Sequence, residues 1–573
     1  MMLQNFKKNA SFFSDKNWGI SHLLWISLLA IVWLGSLGWR HLIPSDEGRY
    51  AEIAREMLVN GNWIVPRYNG YLYFEKPPLQ MWATALTFQV FGLGEWQARL
   101  WTGLTSFFSI LLVGFTVYKV WGIRAGTITA LVLASSPLWI IGGHFNSLDM
   151  GIAFFMSAAL CSLILALHAT EKSREEQLWM LTCWAMMALS VLSKGLIGIV
   201  LPGLVLIIYS ITGKDWHSWK RMYWLRGAFT FFLITTPWFV LIAHQHASFI
   251  DFFFIHEHFE RFTKNEHQRS APWHFFIPLI LIGILPWLLH LPRALLIGFK
   301  SRQGHSNSFK PLWLCFTWVI CITVFFSLSN SKLPGYIFPV IPALAILMGY
   351  SIWLLIENNH QLNPLGIKIW IIQLLIFEVI FLIGLFFVPK IASTGEVYEA
   401  QGYATYAKII GVSLLIGLLG CFLAWIYRKN AIKSILLFSN TMIVVSLTAG
   451  TGHEIVGRVL SGYDLALKAK PVILKDDPLY GVRMLDHTVP FYLEHPLIMV
   501  DFKDELAFGI SQEPEKWIPT LEEWMALWLA NPNKKEFALM TPGLYQELLK
   551  KNLPMEVVAE DPLRIIISKP TKK

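Results

Sequence analysis

Charge is scarce in this chain. Of its 573 residues only 15% are Asp, Glu, Lys or Arg, against 55% that are hydrophobic. So apolar a composition excludes a soluble globule and marks a polytopic membrane protein. Cysteine is scarce too, and Cys161, Cys183, Cys315, Cys321 and Cys421 all sit inside hydrophobic runs. That excludes a disulfide framework and a thiolate metal site. The sequence lacks the Gly-rich loop that cradles a nucleotide phosphate. It lacks internal repeats and low-complexity tracts. The first apolar run, 19–39, follows Lys7, Lys8 and Lys16 but precedes no small-residue cleavage site. It is long enough to span, and it reads as an uncleaved first helix rather than a signal peptide. The formal charge of +9 comes without a basic face interleaved with aromatics, which excludes nucleic acid as a partner.

What is abundant is apolar runs of bilayer length. They fall near 19–41, 96–120, 125–142, 149–168, 177–193, 195–213, 227–245, 274–297, 311–329, 336–356, 368–388, 407–427 and 434–451, about thirteen spans. With a cytoplasmic N-terminus, the inner connections carry Lys119, Arg124, Lys172, Arg174, Lys214, Lys220, Arg221, Arg226, Arg293, Lys300, Arg302, Lys310, Lys368, Arg428, Lys429 and Lys433. This basic bias sets the orientation. An odd number of spans then puts the C-terminus outside. From about Gly452 the composition turns to that of a soluble domain. Stretches 471–474, 497–501, 537–540 and 564–568 read as strands, and 521–529 and 542–550 as helices. The expected fold is an all-α polytopic membrane domain with a small α/β domain on its outer face.

The stretch 44–82 is the first long polar segment, and it is crowded with ionisable groups. Its opening predicts a helix. Ser45 stands at the N-cap, and Asp46 and Glu47 fill a first turn that favours negative charge. Tyr50, Ile53, Ala54, Met57 and Leu58 make one apolar stripe, and Asn60-Gly61 stops it. Arg49, Glu52, Arg55 and Glu56 occupy the other face. Such a helix lies along a bilayer surface rather than crossing it. The stretch ends in Glu75-Lys76-Pro77-Pro78. Pro77 keeps Lys76 out of the helical region, so an acid and a base are held on a stiff corner.

The outer face thus gathers acids (Asp46, Glu47, Glu75, Asp149) and bases or donors (Arg49, Lys76, Lys194, His256, Arg261, Lys332, Tyr336). Basic residues there run against the topological bias, and an anionic ligand is a reason for them. Each has a plainer reading. Asp149, with Asn146 and Ser147, can cap the following span. Lys194 can be an interfacial anchor with a snorkelling stem. Tyr336 can belong to an aromatic belt. His256-Glu257-His258 invites a metal, but spacing i, i+2 shares a face only on a strand, and no third ligand is specified. Asp46-Glu47 can be only a helix start.

The run Asp46-Glu47-Gly48-Arg49-Tyr50-Ala51-Glu52-Ile53, followed by Phe74-Glu75-Lys76-Pro77-Pro78-Leu79, resembles the polyprenyl-phosphate-dependent glycosyltransferases of the GT-C fold. Among these it resembles the lipid A aminoarabinose transferases (ArnT type), relatives of protein O-mannosyltransferases. The resemblance implies a transferase domain over 1–451 with its first periplasmic loop at 42–95, and a periplasmic α/β domain over 452–573. It implies a multi-pass monomer in a bacterial inner membrane. The donor would be undecaprenyl phosphate carrying 4-amino-4-deoxy-L-arabinose or a similar sugar, and the acceptor a lipid A phosphate. By position, Asp46, Asp149 and Glu75 correspond to the catalytic acids. Arg49, Tyr50, Tyr73, Lys76, Lys194, Arg261 and Tyr336 correspond to substrate-binding residues. Glu75 with His256 resembles a pair that holds a zinc-like divalent ion in some members; no cofactor is required. Two rivals stand beside this reading. One is a transferase acting on protein hydroxyls or another glycan. The other is a transporter of lipid-linked anions, which would place ionisable groups at mid-bilayer rather than at span ends.

Overall fold

The computed structural model describes residues 15–260, 271–357, 364–391, 397–530 and 534–570. Helices dominate, and they follow the apolar runs. Among the described residues nine helices are long and apolar enough to cross a membrane, or eleven if two bent pairs are each one span. The thirteen expected runs reduce to that number for local reasons. Run 177–193 lies in Arg174–Lys194, whose first turn is polar, and run 195–213 yields the shorter helix Ile197–Gly213.

The bends have covalent causes. Run 125–142 is split into Ile123–Ala134 and Pro137–Gly143 at an angle of 67°. Pro137 has no N–H for the ladder, and the Ser135 and Ser136 hydroxyls donate instead to the carbonyls of Leu131 (2.6 Å) and Val132 (2.8 Å). Freed backbone acceptors are thereby satisfied without water. Run 274–297 likewise breaks, by 95°, between Phe276–Gly283 and Leu285–Lys300, and Pro286 stands at the break.

Helix Leu148–His168 is the axis of the bundle: its hydrophobic window is 94% buried, against 22% for Gly366–Pro389. Small residues Gly151, Ala153, Ala158, Ala159 and Ala166 along it let neighbouring backbones come close, which is how helices associate where lipid removes the hydrophobic drive. Its first turn, the last residue of Arg174–Lys194 and the short 3₁₀ turn Pro334–Ile337 meet at one end of the bundle.

Over that end lies the C-terminal unit. The first loop contributes a two-stranded hairpin, β1 (Arg67–Tyr68) and β2 (Tyr71–Leu72). The C-terminal sheet is β3 (Leu479–Val482), β4 (Ile498–Val500), β5 (Phe537–Met540), β6 (Glu556–Glu560) and β7 (Ile565–Ser568), in the order β4-β3-β5-β7-β6. β3 runs parallel to β4 and β5; β7 is antiparallel to β5 and β6. The expected strand at 471–474 is instead turn; Pro471 cannot donate to a ladder. The inner strand β3 was not read from sequence, because Gly481 and the preceding Lys475-Asp476-Asp477-Pro478 look like a loop. β6 was also missed: as an edge strand its pattern is mostly exposed. The helices Leu521–Ala530 and Pro542–Lys550 form as expected. Hydrogen bonds clamp the hairpin to this unit: Arg67 to Glu513 (2.8 Å), the Tyr71 hydroxyl to the Lys516 carbonyl (2.6 Å), and the Leu497 N–H to Asn69 (3.0 Å).

Candidate active site

Helix Asp46–Asn60 forms as its sequence dictates and ends at Gly61, whose φ of 66° suits only a residue without Cβ strain. Ser45 holds the N-cap position, but its side chain makes no cap hydrogen bond. The polar face of this helix does not meet solvent. Arg49, Glu52, Arg55 and Glu56 are all buried, because the C-terminal unit covers the face turned from the bundle. Gly48 shows how closely: a Cβ there would stand 2.1 Å from the His487 carbonyl oxygen.

The two acids of the first turn part company. Glu47 points inward and is fully buried. Arg40 donates to it at 2.6 and 3.1 Å, Arg99 at 2.7 and 3.0 Å, and the backbone N–H groups of Ile43 and Asn146 at 3.1 and 3.0 Å. Burial pushes its carboxyl up, but the two guanidinium groups outweigh that and hold it at about 2. Arg99 also donates to the carbonyls of Leu37, Arg40 and His41. Glu47 is therefore a structural knot tying loop to bundle, and it leaves the acidic set expected at the outer face. Nothing in the sequence marked Arg99 as its partner.

Asp46, one residue earlier, turns the other way. Its side chain is 30% exposed and lies 3.8 Å from Arg49. One turn on, the Tyr50 phenol is buried and pushed well up, first by burial and then by the carboxylate of Asp46, with Glu75 and Asp149 adding and Arg49 opposing. Carboxylates from three separate segments thus act on one phenol. Tyr73 is buried beside them; its phenol is raised by burial and by Glu75, and its hydroxyl has no hydrogen-bond partner among the described residues. On the Pro-Pro corner, the Lys76 ammonium donates to the Glu75 carbonyl (2.9 Å) and lies 3.6 Å from the Glu75 carboxylate.

Asp149 does not cap its own helix. It forms an ion pair with Lys194. The Lys194 ammonium also lies 4.4 Å from the centre of the Tyr336 ring, within cation–π reach. Gly335 makes room for this: a Cβ there would meet Asp149 Oδ2 at 2.3 Å. Lys332 is turned to the Ser329 carbonyl, 2.5 Å away.

The C-terminal unit supplies a group that sequence reading missed. Glu505 Oε2 lies 2.9 Å from Arg49 Nη2. Burial pushes the Glu505 carboxyl up to about 7, against the pull of Arg49 and with Glu75 adding. His487 Nδ1 sits 3.3 Å from Glu505 and 2.8 Å from the Tyr68 hydroxyl. An acid inside a soluble, charged segment carries no hint in the sequence that it will be buried against a membrane-loop arginine.

Of the expected residues, Asp46, Arg49, Tyr50, Tyr73, Glu75, Lys76, Asp149, Lys194 and Tyr336 share this end of the molecule. Arg261 lies outside the described residues. His256 falls in the π-helical segment Asp251–Glu260, and its side chain lies outside the described residues as well. Among the described residues no group of three His, Cys, Asp or Glu side chains is placed to hold a metal ion; the expected pairing of Glu75 with His256 lies outside the described residues.

A multi-pass helical membrane protein that collects carboxylates and cations at one end, under a small α/β unit, has the architecture of a GT-C glycosyltransferase. Residues 23–253 match the dolichyl-phosphate-mannose-protein mannosyltransferase family profile, and residues 465–569 match the aminoarabinose transferase C-terminal domain. The crystal structure of ArnT from Cupriavidus metallidurans bound to undecaprenyl phosphate superposes with a TM-score of 0.90 at 38% identity, covering 97% of this chain and 99% of that one. The chain belongs to the ArnT family. It is also similar to the undecaprenyl phosphate-alpha-4-amino-4-deoxy-L-arabinose arabinosyl transferase of Erwinia tasmaniensis, 33% identical over 57% of this chain and 58% of that relative's length. The archaeal oligosaccharyltransferase of Archaeoglobus fulgidus (TM-score 0.52, 12% identity, 92% of this chain and 70% of that one) shares the fold alone.

Proposed function

We propose that this protein transfers an amino sugar, 4-amino-4-deoxy-L-arabinose or one like it, from undecaprenyl phosphate to a phosphate of lipid A. The observation that carries the reading is a set of ion pairs at one end of the bundle: the Lys194 ammonium on Asp149 and over the Tyr336 ring, Lys76 beside Glu75, and Arg49 beside Asp46. The likeness to an ArnT crystallised with undecaprenyl phosphate supports the donor. In this reading residues 1–451 form the transferase domain and 452–573 a periplasmic cap, in a monomer of the bacterial inner membrane.

A sugar on a lipid phosphate is already activated, because the leaving group is a stabilised anion. Lys76, Lys194 and Arg261 would take the charge of the departing phosphate, with Tyr336 beneath the Lys194 ammonium. Such fixed charges in a water-poor site are commonly the largest catalytic contribution. Asp149 orients Lys194; Asp46, the more exposed acid, faces the cationic sugar centre or the acceptor. Arg49, Tyr50 and Tyr73 shape the wall on which the substrates rest. A phosphate acceptor, with its second pKa near ~6, is largely dianionic at neutral pH and needs no general base. Asp46 is then mainly an orienting group. Glu75 with His256 fits a zinc-like ion only if residues beyond those described complete it, and no step needs one.

The match of 23–253 to protein mannosyltransferases favours a second reading, a serine or threonine hydroxyl as acceptor, for which Asp46 would serve as base. Purified full-length protein in liposomes, given polyprenyl-phosphate aminoarabinose with either lipid A or a Ser/Thr peptide, separates them by mass spectrometry. Added sugar on lipid A alone is expected. Sugar on the peptide alone, or on neither, overturns the first reading.

A further inference from the structure

Helix Val340–Glu357 begins beside Tyr336 and runs away from the candidate active site. Its far end, about 22 Å along by Leu355, closes one side of a cavity. This pocket is open on one side and is walled by Ile352, Leu355, Ile367 and Ile435. Two polar side chains interrupt the wall, His290 and Arg428.

His290 is the unusual one. It is the last residue of the 3₁₀ segment Leu285–His290, at the bent span, and only 3% of it is exposed. Neither ring nitrogen has a hydrogen-bond partner among the described residues. An imidazole always carries at least one N–H donor, and burying it unpaired is unfavourable. The residue packs as a core ring beside the stacked pair Trp287 and Trp370, but packing alone does not satisfy the donor. One turn further on, Arg293 buries Nη1 with no partner among the described residues. Among the described residues, Arg428, half-buried at the rim, donates its side chain only to the Trp425 carbonyl (3.1 Å) and stacks over that ring at 4.4 Å, which leaves most of its guanidinium fork for another acceptor. Exposed Lys368, Lys429 and Lys433 stand in the same turns.

A buried unpaired donor and a cationic rim on an apolar cleft call for a ligand with an anionic head and a hydrocarbon tail. Inorganic phosphate would waste the apolar wall. A choline or ethanolamine head would place its ammonium among the lysines. We propose that this pocket binds an anionic glycerophospholipid, with the phosphodiester on His290 and Arg428 and one acyl chain along Ile352, Leu355, Ile367 and Ile435. Arg forks onto phosphate oxygens, the imidazole N–H gains its missing acceptor, and the chain fills space that is otherwise unoccupied by protein. The site is separate from the one at the opposite end of Val340–Glu357 and does not depend on which sugar or acceptor is used there.

The test uses the full-length protein, purified in detergent and stripped of lipid. It is titrated with dioleoyl-phosphatidylglycerol, with dioleoyl-phosphatidylcholine and with inorganic phosphate, and bound lipid is counted by native mass spectrometry. The expected result is one phosphatidylglycerol held at least tenfold more tightly than phosphatidylcholine. His290→Phe, which keeps the ring volume, and Arg428→Gln, at the rim, each bring that preference down about tenfold. Circular dichroism and thermal unfolding report whether each variant is folded; should His290→Phe fail to fold, Arg428→Gln decides. Equal binding of the two lipids by the wild type overturns the proposal. So does an undiminished preference in folded Arg428→Gln, or displacement of the lipid by inorganic phosphate at equal concentration.

Discussion

Replacing Glu47 by Gln changes one oxygen to an NH₂ group and almost no volume, yet it should be among the costliest single changes in the protein. The carboxylate accepts from two arginines and two backbone N–H groups, with no exposure to solvent. Its carboxyl stands at about 2 against an ordinary 4.5. That fall of roughly 2.5 pH units, at about 1.36 kcal/mol each, amounts to about 3 kcal/mol of stability. Removing one member of a buried charge cluster costs about 3–5 kcal/mol, because the arginines stay behind unpaired. The two routes agree. Because the folded pKa is depressed, the contribution is complete above pH 4.5 and disappears as pH falls from 4.5 toward 2. Unfolding in mixed micelles, followed at pH 7 and pH 4, should show Glu47→Gln less stable by about 3 kcal/mol at the higher pH. Asp46→Asn, the same chemical change one residue earlier on a partly exposed side chain, should stay within about 1 kcal/mol of wild type. Equal stability for Glu47→Gln and wild type would refute the knot, and equal loss in both variants would refute the assignment of opposite roles.

The same pair should divide in the opposite sense by activity. Asp46→Asn and Lys76→Ala are each expected to lose more than about 100-fold of sugar transfer while inserting and folding normally; wild-type turnover by both would remove them from the site. Gly335→Ala places a methyl against Asp149 Oδ2 and should break the ion pair with Lys194, costing about tenfold or more in turnover, since a misplacement of that size has such effects; unchanged kcat would show that pair to be idle. Gly48→Ala drives a Cβ into the His487 carbonyl, so proteolysis should cut the C-terminal unit from the bundle faster than in wild type, at a cost of about 1–3 kcal/mol. Glu505, raised to about 7 by burial, stays protonated in the folded protein where the unfolded chain has already ionised. Wild type should therefore lose stability relative to Glu505→Gln as pH rises from 4.5 to 7, and hold a constant difference above; parallel pH profiles would show that Glu505 is solvated.

Hydropathy and proline determined a good deal without coordinates. Each apolar run became a helix or a bent pair, since a chain in lipid must satisfy its own backbone. The helix Asp46–Asn60 and the stiff corner at Pro77-Pro78 follow from local preference, as do three of the C-terminal strands. Side-by-side acids in one turn cannot be told apart in that way. Glu47 became a knot and Asp46 a site group only because Arg99, Arg40 and Asn146, distant in sequence, wait on one side of the helix and not the other. Amphipathicity reports that this helix has a second, polar surface, not what covers it. What covers it is a unit more than 400 residues away in the chain, and it brings Glu505 and His487 with it. Local sequence acts through backbone preference and transfer energy, which are sums over neighbours. Ion-pair choice and burial depend on which segments are brought together, and that only the tertiary structure decides.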